Sequence, residues 1–228
     1  MELTTTITES LPDFYCVGVD LGSVNDSTAI AVVEVAKAFE VTHGRTKFQA
    51  VASEVKRVPR LHYTVRLLHR PRLGTEYPLV IQQIAAIIED LPPMRAAPVL
   101  AIDATGLGQP IVQLARQRGL KPIGVAITAG NNASIASHGW SVPKALLVGE
   151  LRLAMHQRRL SVAQFGARDV LERELSAFTA KLSASGRASF EAAGSEHDDS
   201  VLALALATFA AKHRPAPIST IRSDWMAR

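Results

Sequence analysis

Three apolar segments far apart in the chain each end in, or open on, an aspartate: Asp20 closes CVGVD, Asp103 closes PVLAID, and Asp198 and Asp199 open DDSVLALALATFAA. A carboxylate beside a buried apolar element is costly unless a cation receives it. A fold that uses all three segments in one core therefore has to bring the acids to an edge where they can meet a metal ion or a positively charged side chain. Each acid also has an ordinary structural role open to it, since aspartate before glycine suits a turn and aspartate at a helix start suits capping. The conjunction of the three is what points to a metal site.

The order of elements gives the fold class. Residues 15–20 and 28–35 are apolar runs separated by the turn LGSVNDS and predict a strand hairpin, with a third strand over 63–69. Val80, Ile84, Ile87, Ile88 and Leu91 recur at helical spacing and Pro92 and Pro93 stop them, so a helix is expected over 77–91. A strand ending at Asp103, a tight turn at ATGLG, a helix over 109–118 and a strand over 121–127 come next. Ser141 is placed to cap a helix running to Arg158, and further helices are expected over 169–181 and 198–212, with a short strand over 188–191 between them. Strands first and strand–helix alternation afterwards imply an α/β domain in which an antiparallel hairpin adjoins parallel strands, with helices on both faces. Sites in such sheets gather beyond the carboxyl ends of the strands, where Asp103 lies.

With 228 residues, 47% of them hydrophobic, the chain can support one large domain, expected over 15–212 between an N-terminal extension (1–14) and a C-terminal tail (213–228). The single cysteine, Cys16, excludes an intrachain disulfide and fits a reducing cytoplasm. No signal peptide and no run of about 18 apolar residues is present, so no membrane partner is expected. A net charge of +4 permits a polyanionic partner. Lys56, Arg57, Arg60, Arg66, His69, Arg70 and Arg72 concentrate cations between the hairpin and the first helix, and Lys144 sits near a helix start where a phosphate can be received. Arg57, Arg60, Arg70 and Lys144 are the candidate DNA contacts, each weighed against an ordinary solvated face. His197 can orient a water or a carboxylate, and Glu191 and Glu196 can add a ligand; Asp26 fits a turn and Trp140 fits packing.

Magnesium prefers oxygen ligands and leaves room for water and substrate phosphate, and two such ions about 4 Å apart activate water and stabilise the departing oxygen of a phosphodiester. In this scheme Asp20 bridges, Asp103 serves one ion, and Asp198 or Asp199 serves the other.

The segments SHGWSVPKALLVGELRLAMHQRRLSV, LERELSAFTAKL and ASFEAAGSEHDDSVLALALA, taken with the acids in this order, resemble the nuclease domain of phage terminase large subunits, a branch of the ribonuclease H-like superfamily, over about residues 15–212. The resemblance implies a central mixed sheet flanked by helices and Mg²⁺- or Mn²⁺-dependent endonucleolytic cleavage of double-stranded DNA in genome packaging in the host cytoplasm. Asp20, Asp103, and Asp199 or Asp198 fall at the acidic positions. It also implies a small terminase subunit, a portal and a packaging ATPase as partners; no Walker A sequence is present to supply the motor from this chain. Three alternatives stand beside it: a dimeric junction resolvase, a non-catalytic DNA-packaging scaffold, and an actin-like phosphate-binding hairpin, for which the chain is short.

Overall fold

The computed structural model describes residues 3–8, 12–22, 27–44, 55–106, 108–136, 139–184 and 198–214. The expected strand at 188–191, together with Asp26, Glu191, Glu196 and His197, lies outside them. Among the described residues nine strands form one mixed sheet: β1 (Leu3–Thr8), β2 (Pro12–Asp20), β3 (Ala29–Gly44), β4 (Val55–His69), β5 (Val99–Asp103), β6 (Pro122–Thr128), β7 (Ser134–Ala136), β8 (Gly139–Pro143) and β9 (Leu160–Val162). Five helices among the described residues flank it: α1 (Tyr77–Glu89), α2 (Gly108–Gln117), α3 (Lys144–His156), α4 (Arg168–Ala184) and α5 (Asp199–Lys212). The strand order is β7-β8-β6-β5-β2-β3-β4-β9, with β1 pairing the far half of β3. Strands β2, β3 and β4 are antiparallel, and β5, β6 and β8 continue the sheet parallel to β2. The chain is thus α/β, in an arrangement compatible with the ribonuclease H-like sheet.

Period-two alternation sorts the central strands between two cores. Phe14 and Cys16 of β2, and Ala101 of β5, join the core formed with α3, α4 and α5. Tyr15, Val17, Val19, Leu100 and Ile102 face α1 and α2. Cys16 is fully buried, which pushes its thiol up to about 12. From Ser200 to Ala211 every residue of α5 is buried, because this helix is enclosed by the sheet on one side and by α3 and α4 on the other. A helix apolar all round is what such a position requires.

Several elements differ from expectation. The basic stretch before residue 63 is not a connection: β3 and β4 form one long antiparallel pair from Ile30↔His69 to His43↔Val55, irregular at Val32/Val33. Residues read as an N-terminal extension contribute β1 and the core side chain Phe14. Ser141 is a strand residue of β8 rather than a cap; Pro143 holds the position before α3, without a side-chain capping bond. That strand supplies β6 with a second parallel partner, opposite β5.

Candidate active site

The turn after β2 is tied down by its own neighbours: the backbone N–H of Gly22 donates to Thr28 Oγ1 at 3.1 Å, and the Tyr77 hydroxyl donates to the Gly22 carbonyl at 3.1 Å. Asp20 closes β2 and is 7% exposed. By alternation it faces the α5 side, with Phe14, Cys16 and Gly18. Asp103 closes β5 on the same side, two residues after Ala101. The parallel register runs Cys16↔Val99 to Val19↔Ile102, so the next step sets Asp20 beside Asp103 at the carboxyl ends of adjacent strands.

Helix α5 brings the remaining acids. A Cβ on Gly18 would lie 2.0 Å from the Ala203 carbonyl oxygen and 2.6 Å from the Ala207 backbone nitrogen, so the helix rests directly on β2 at this glycine. Asp199 precedes Ala203 by one turn, about 6 Å along the helix, and Asp20 follows Gly18 by two strand residues, about 6.6 Å. The two steps match, so the first turn of α5 lies over the end of β2.

The electrostatics agree with this placement. The Asp20 carboxyl is pushed well above the ordinary carboxylate range, first by burial, then by the charges of Asp103, Asp199 and Asp198, while Lys144 pulls it down. Burial also raises Asp103, against two hydrogen bonds from Thr105. The Thr105 backbone N–H and hydroxyl both donate to Asp103 Oδ1, at 2.8 and 2.5 Å, and Thr105 Oγ1 accepts from the Ile127 N–H at 2.8 Å. Asp103 is thereby braced against β6.

Two cations meet the other acids. Lys144 Nζ, at the start of α3, lies 3.0 Å from Asp198 Oδ2. Arg70, just beyond β4, reaches Asp199 Oδ2 at 3.3 Å and Glu174 Oε1 of α4 at 3.1 Å. Asp198 precedes α5 but makes no side-chain capping bond, so its oxygen serves Lys144 and not the helix N–H groups. Four aspartates against two cations leave an excess of negative charge around a buried carboxyl. The donor set is hard oxygen throughout, which suits Mg²⁺ or Mn²⁺. Among the described residues no three carboxylate, imidazole or thiol groups stand as a ready-made ligand shell. One oxygen each of Asp103, Asp198 and Asp199 is held by Thr105, Lys144 and Arg70 respectively.

The basic candidates divide sharply. Lys144 and Arg70 stand at the acids. Arg66 instead makes a two-pronged pair with Glu34, at 2.9 and 3.0 Å, and His69 Nε2 bonds Gln83 Oε1 at 2.9 Å. Arg60 pairs across from Ala38, nine residues before His69 on β4 and hence about 30 Å up the strand, which removes it from the neighbourhood of the acids. Arg57 lies in β4 still farther along, and its side chain is outside the described residues. Trp140 packs edge-on against Phe209, with ring centroids 5.7 Å apart. Thr105 and Glu174 were not anticipated: an aspartate followed two residues later by threonine is a local signal for the first, whereas Glu174 meets Arg70 across 104 residues and has none.

Comparison with known protein families, curated proteins and solved structures returns no match.

Proposed function

We propose that the chain is a metal-dependent endonuclease that hydrolyses double-stranded DNA, with phage genome packaging as its setting. The observation that carries this reading is the meeting of Asp20, Asp103, Asp198 and Asp199 at one end of the sheet, around a carboxyl whose ionisation burial and its neighbours oppose. Two Mg²⁺ or Mn²⁺ ions held by Asp20, Asp103 and Asp198 or Asp199 would supply an activated water and charge neutralisation at the scissile phosphate. Asp20 is central because it borders every other acid. Thr105 holds one Asp103 oxygen and leaves the other for a ligand role. Lys144 and Arg70 are partly exposed beside the acids, where they can receive the phosphates flanking a cleavage point.

The terminase resemblance supports packaging as the setting, and a separate ATPase, a small terminase subunit and a portal would then be the partners. The test is nicking and linearisation of supercoiled plasmid in Mg²⁺ or Mn²⁺ by the wild type and by Asp20→Asn and Asp103→Asn. Cleavage lost by about 10³-fold or more in both variants is expected. DNA binding without cleavage in the wild type would instead support a non-catalytic scaffold, and preferential paired cutting of four-way junctions would support a resolvase.

A further inference from the structure

At the opposite end of α5, Arg60, Leu61 and Tyr63 of β4, Glu150, Leu153 and Gln157 of α3, Arg159, and Thr208 and Lys212 of α5 line a cavity of about 250 Å³. Lys212 follows Asp199 by thirteen residues, about 20 Å along the helix, so this cavity is separate from the acidic site. Arg60, Arg159 and Lys212 bring three cations to its wall and Glu150 one carboxylate. Lys212 Nζ lies 2.5 Å from Glu150 Oε1 and neutralises it.

Arg159 is fixed in place before any ligand arrives. Its Nε donates to Gln157 Oε1 at 2.8 Å and its Nη1 to the Leu61 carbonyl at 2.9 Å, while its guanidinium carbon lies 6.0 Å from the centroid of the Tyr63 ring. A guanidinium has five N–H donors; those two bonds and a hydrogen bond to the Tyr63 hydroxyl leave two. An anion bound there meets a donor fork whose ordering cost is already met by the fold. Burial pushes the Tyr63 hydroxyl up to about 12, so the tyrosine adds no negative charge to the wall. Leu61, Tyr63 and Leu153 give the cavity an apolar side.

We propose that this cavity binds the terminal phosphate of a phosphate monoester, with Arg159 and Arg60 receiving it. Such a group carries about 1.5 to 2 negative charges at neutral pH, a charge that guanidinium groups receive well. The same chemistry is presented by a free 5′-mononucleotide and by the 5′-phosphorylated end of a DNA strand.

The test uses the full chain with Asp20→Asn to prevent cleavage and EDTA to keep the acidic site free of metal. Isothermal titration is carried out with inorganic phosphate, AMP, adenosine, and a short oligonucleotide with and without its 5′-phosphate. Saturable binding of AMP but not adenosine is expected, weakened about tenfold or more by Arg159→Met and by Arg60→Glu. Circular dichroism checks that each variant folds. Arg60 is exposed on a strand, so Arg60→Glu decides the matter if Arg159→Met fails that check. Preference for the phosphorylated over the unphosphorylated oligonucleotide identifies the strand end as the source, and binding of AMP alone identifies a free nucleotide. No saturable binding at millimolar concentration, or binding unchanged in the folded variants, overturns the proposal. Neither result bears on plasmid cleavage.

Discussion

Gly18 sets how closely α5 approaches the sheet. The atoms that a Cβ would meet are the backbone oxygen of Ala203 and the backbone nitrogen of Ala207, so no side-chain rotation relieves the clash. Gly18→Ala should lower stability in urea denaturation by at least about 1–3 kcal/mol, and should reduce nicking under conditions where the variant is still folded, because the turn bearing Asp199 is displaced. Asp20 acts in the opposite sense. Its folded-state pKa is raised, so the ionised form is the one folding disfavours. The cost is absent below the unfolded-state pKa, grows as pH rises through the interval up to the folded-state pKa, and is fully present above it. Asp20→Asn should therefore raise the Tm of the metal-free protein at neutral pH, with the gain shrinking toward acid pH. An unchanged or lowered Tm across that range would contradict the burial and repulsion described for this carboxyl.

At the scale of elements, Arg70 is the tie between the end of β4, α4 and the first turn of α5. Glu174 is 11% exposed and its second oxygen, Oε2, is buried without a partner, so removing the guanidinium leaves a poorly solvated charge behind. Arg70→Met should cost about 1–3 kcal/mol, the part-exposed setting of Arg70 keeping it below the full cost of a broken buried pair, and Arg70→Met with Glu174→Gln should recover part of that loss. Equal losses in the single and double variants would mean that the ion pair contributes little. These pairings also mark where sequence reasoning stops. The strands ending at Asp20 and Asp103 and helices α1, α2 and α5 were legible because their apolar runs and spacings are local, α5 as an unbroken apolar run of helical length. Strands β7 and β9, three residues each, have no such pattern and exist through their partners β8 and β4. The outer half of β3 and β4 was missed because its charged and polar residues hide the alternation, and its pairing is set by strand-to-strand register.

For the whole molecule, the acids are neighbours only when sheet and helix are both in place, so a divalent cation should bind the folded state and not the unfolded chain. With an affinity of about 1 mM, 10 mM Mg²⁺ or Mn²⁺ would add about 1.4 kcal/mol, readable as a rise in Tm that Asp103→Asn diminishes and EDTA reverses. A Tm indifferent to the metal in the wild type would count against a cation centre. That Asp20, Asp103 and the pair at 198 and 199 gather at one end was legible as a conjunction of segments. The direction in which each oxygen turns was not, because Lys144, Arg70 and Thr105 reach them through folding alone.

The complete burial of α5 also orders events in time. A nascent chain exposes the greasy underside of β2, β3 and β5 long before the ribosome delivers the segment that covers it. Until then the acidic site lacks two of its four aspartates, and the sheet face that α5 covers stays open to solvent. The proposed competence to cut would thus be withheld from any molecule whose interior is not yet closed.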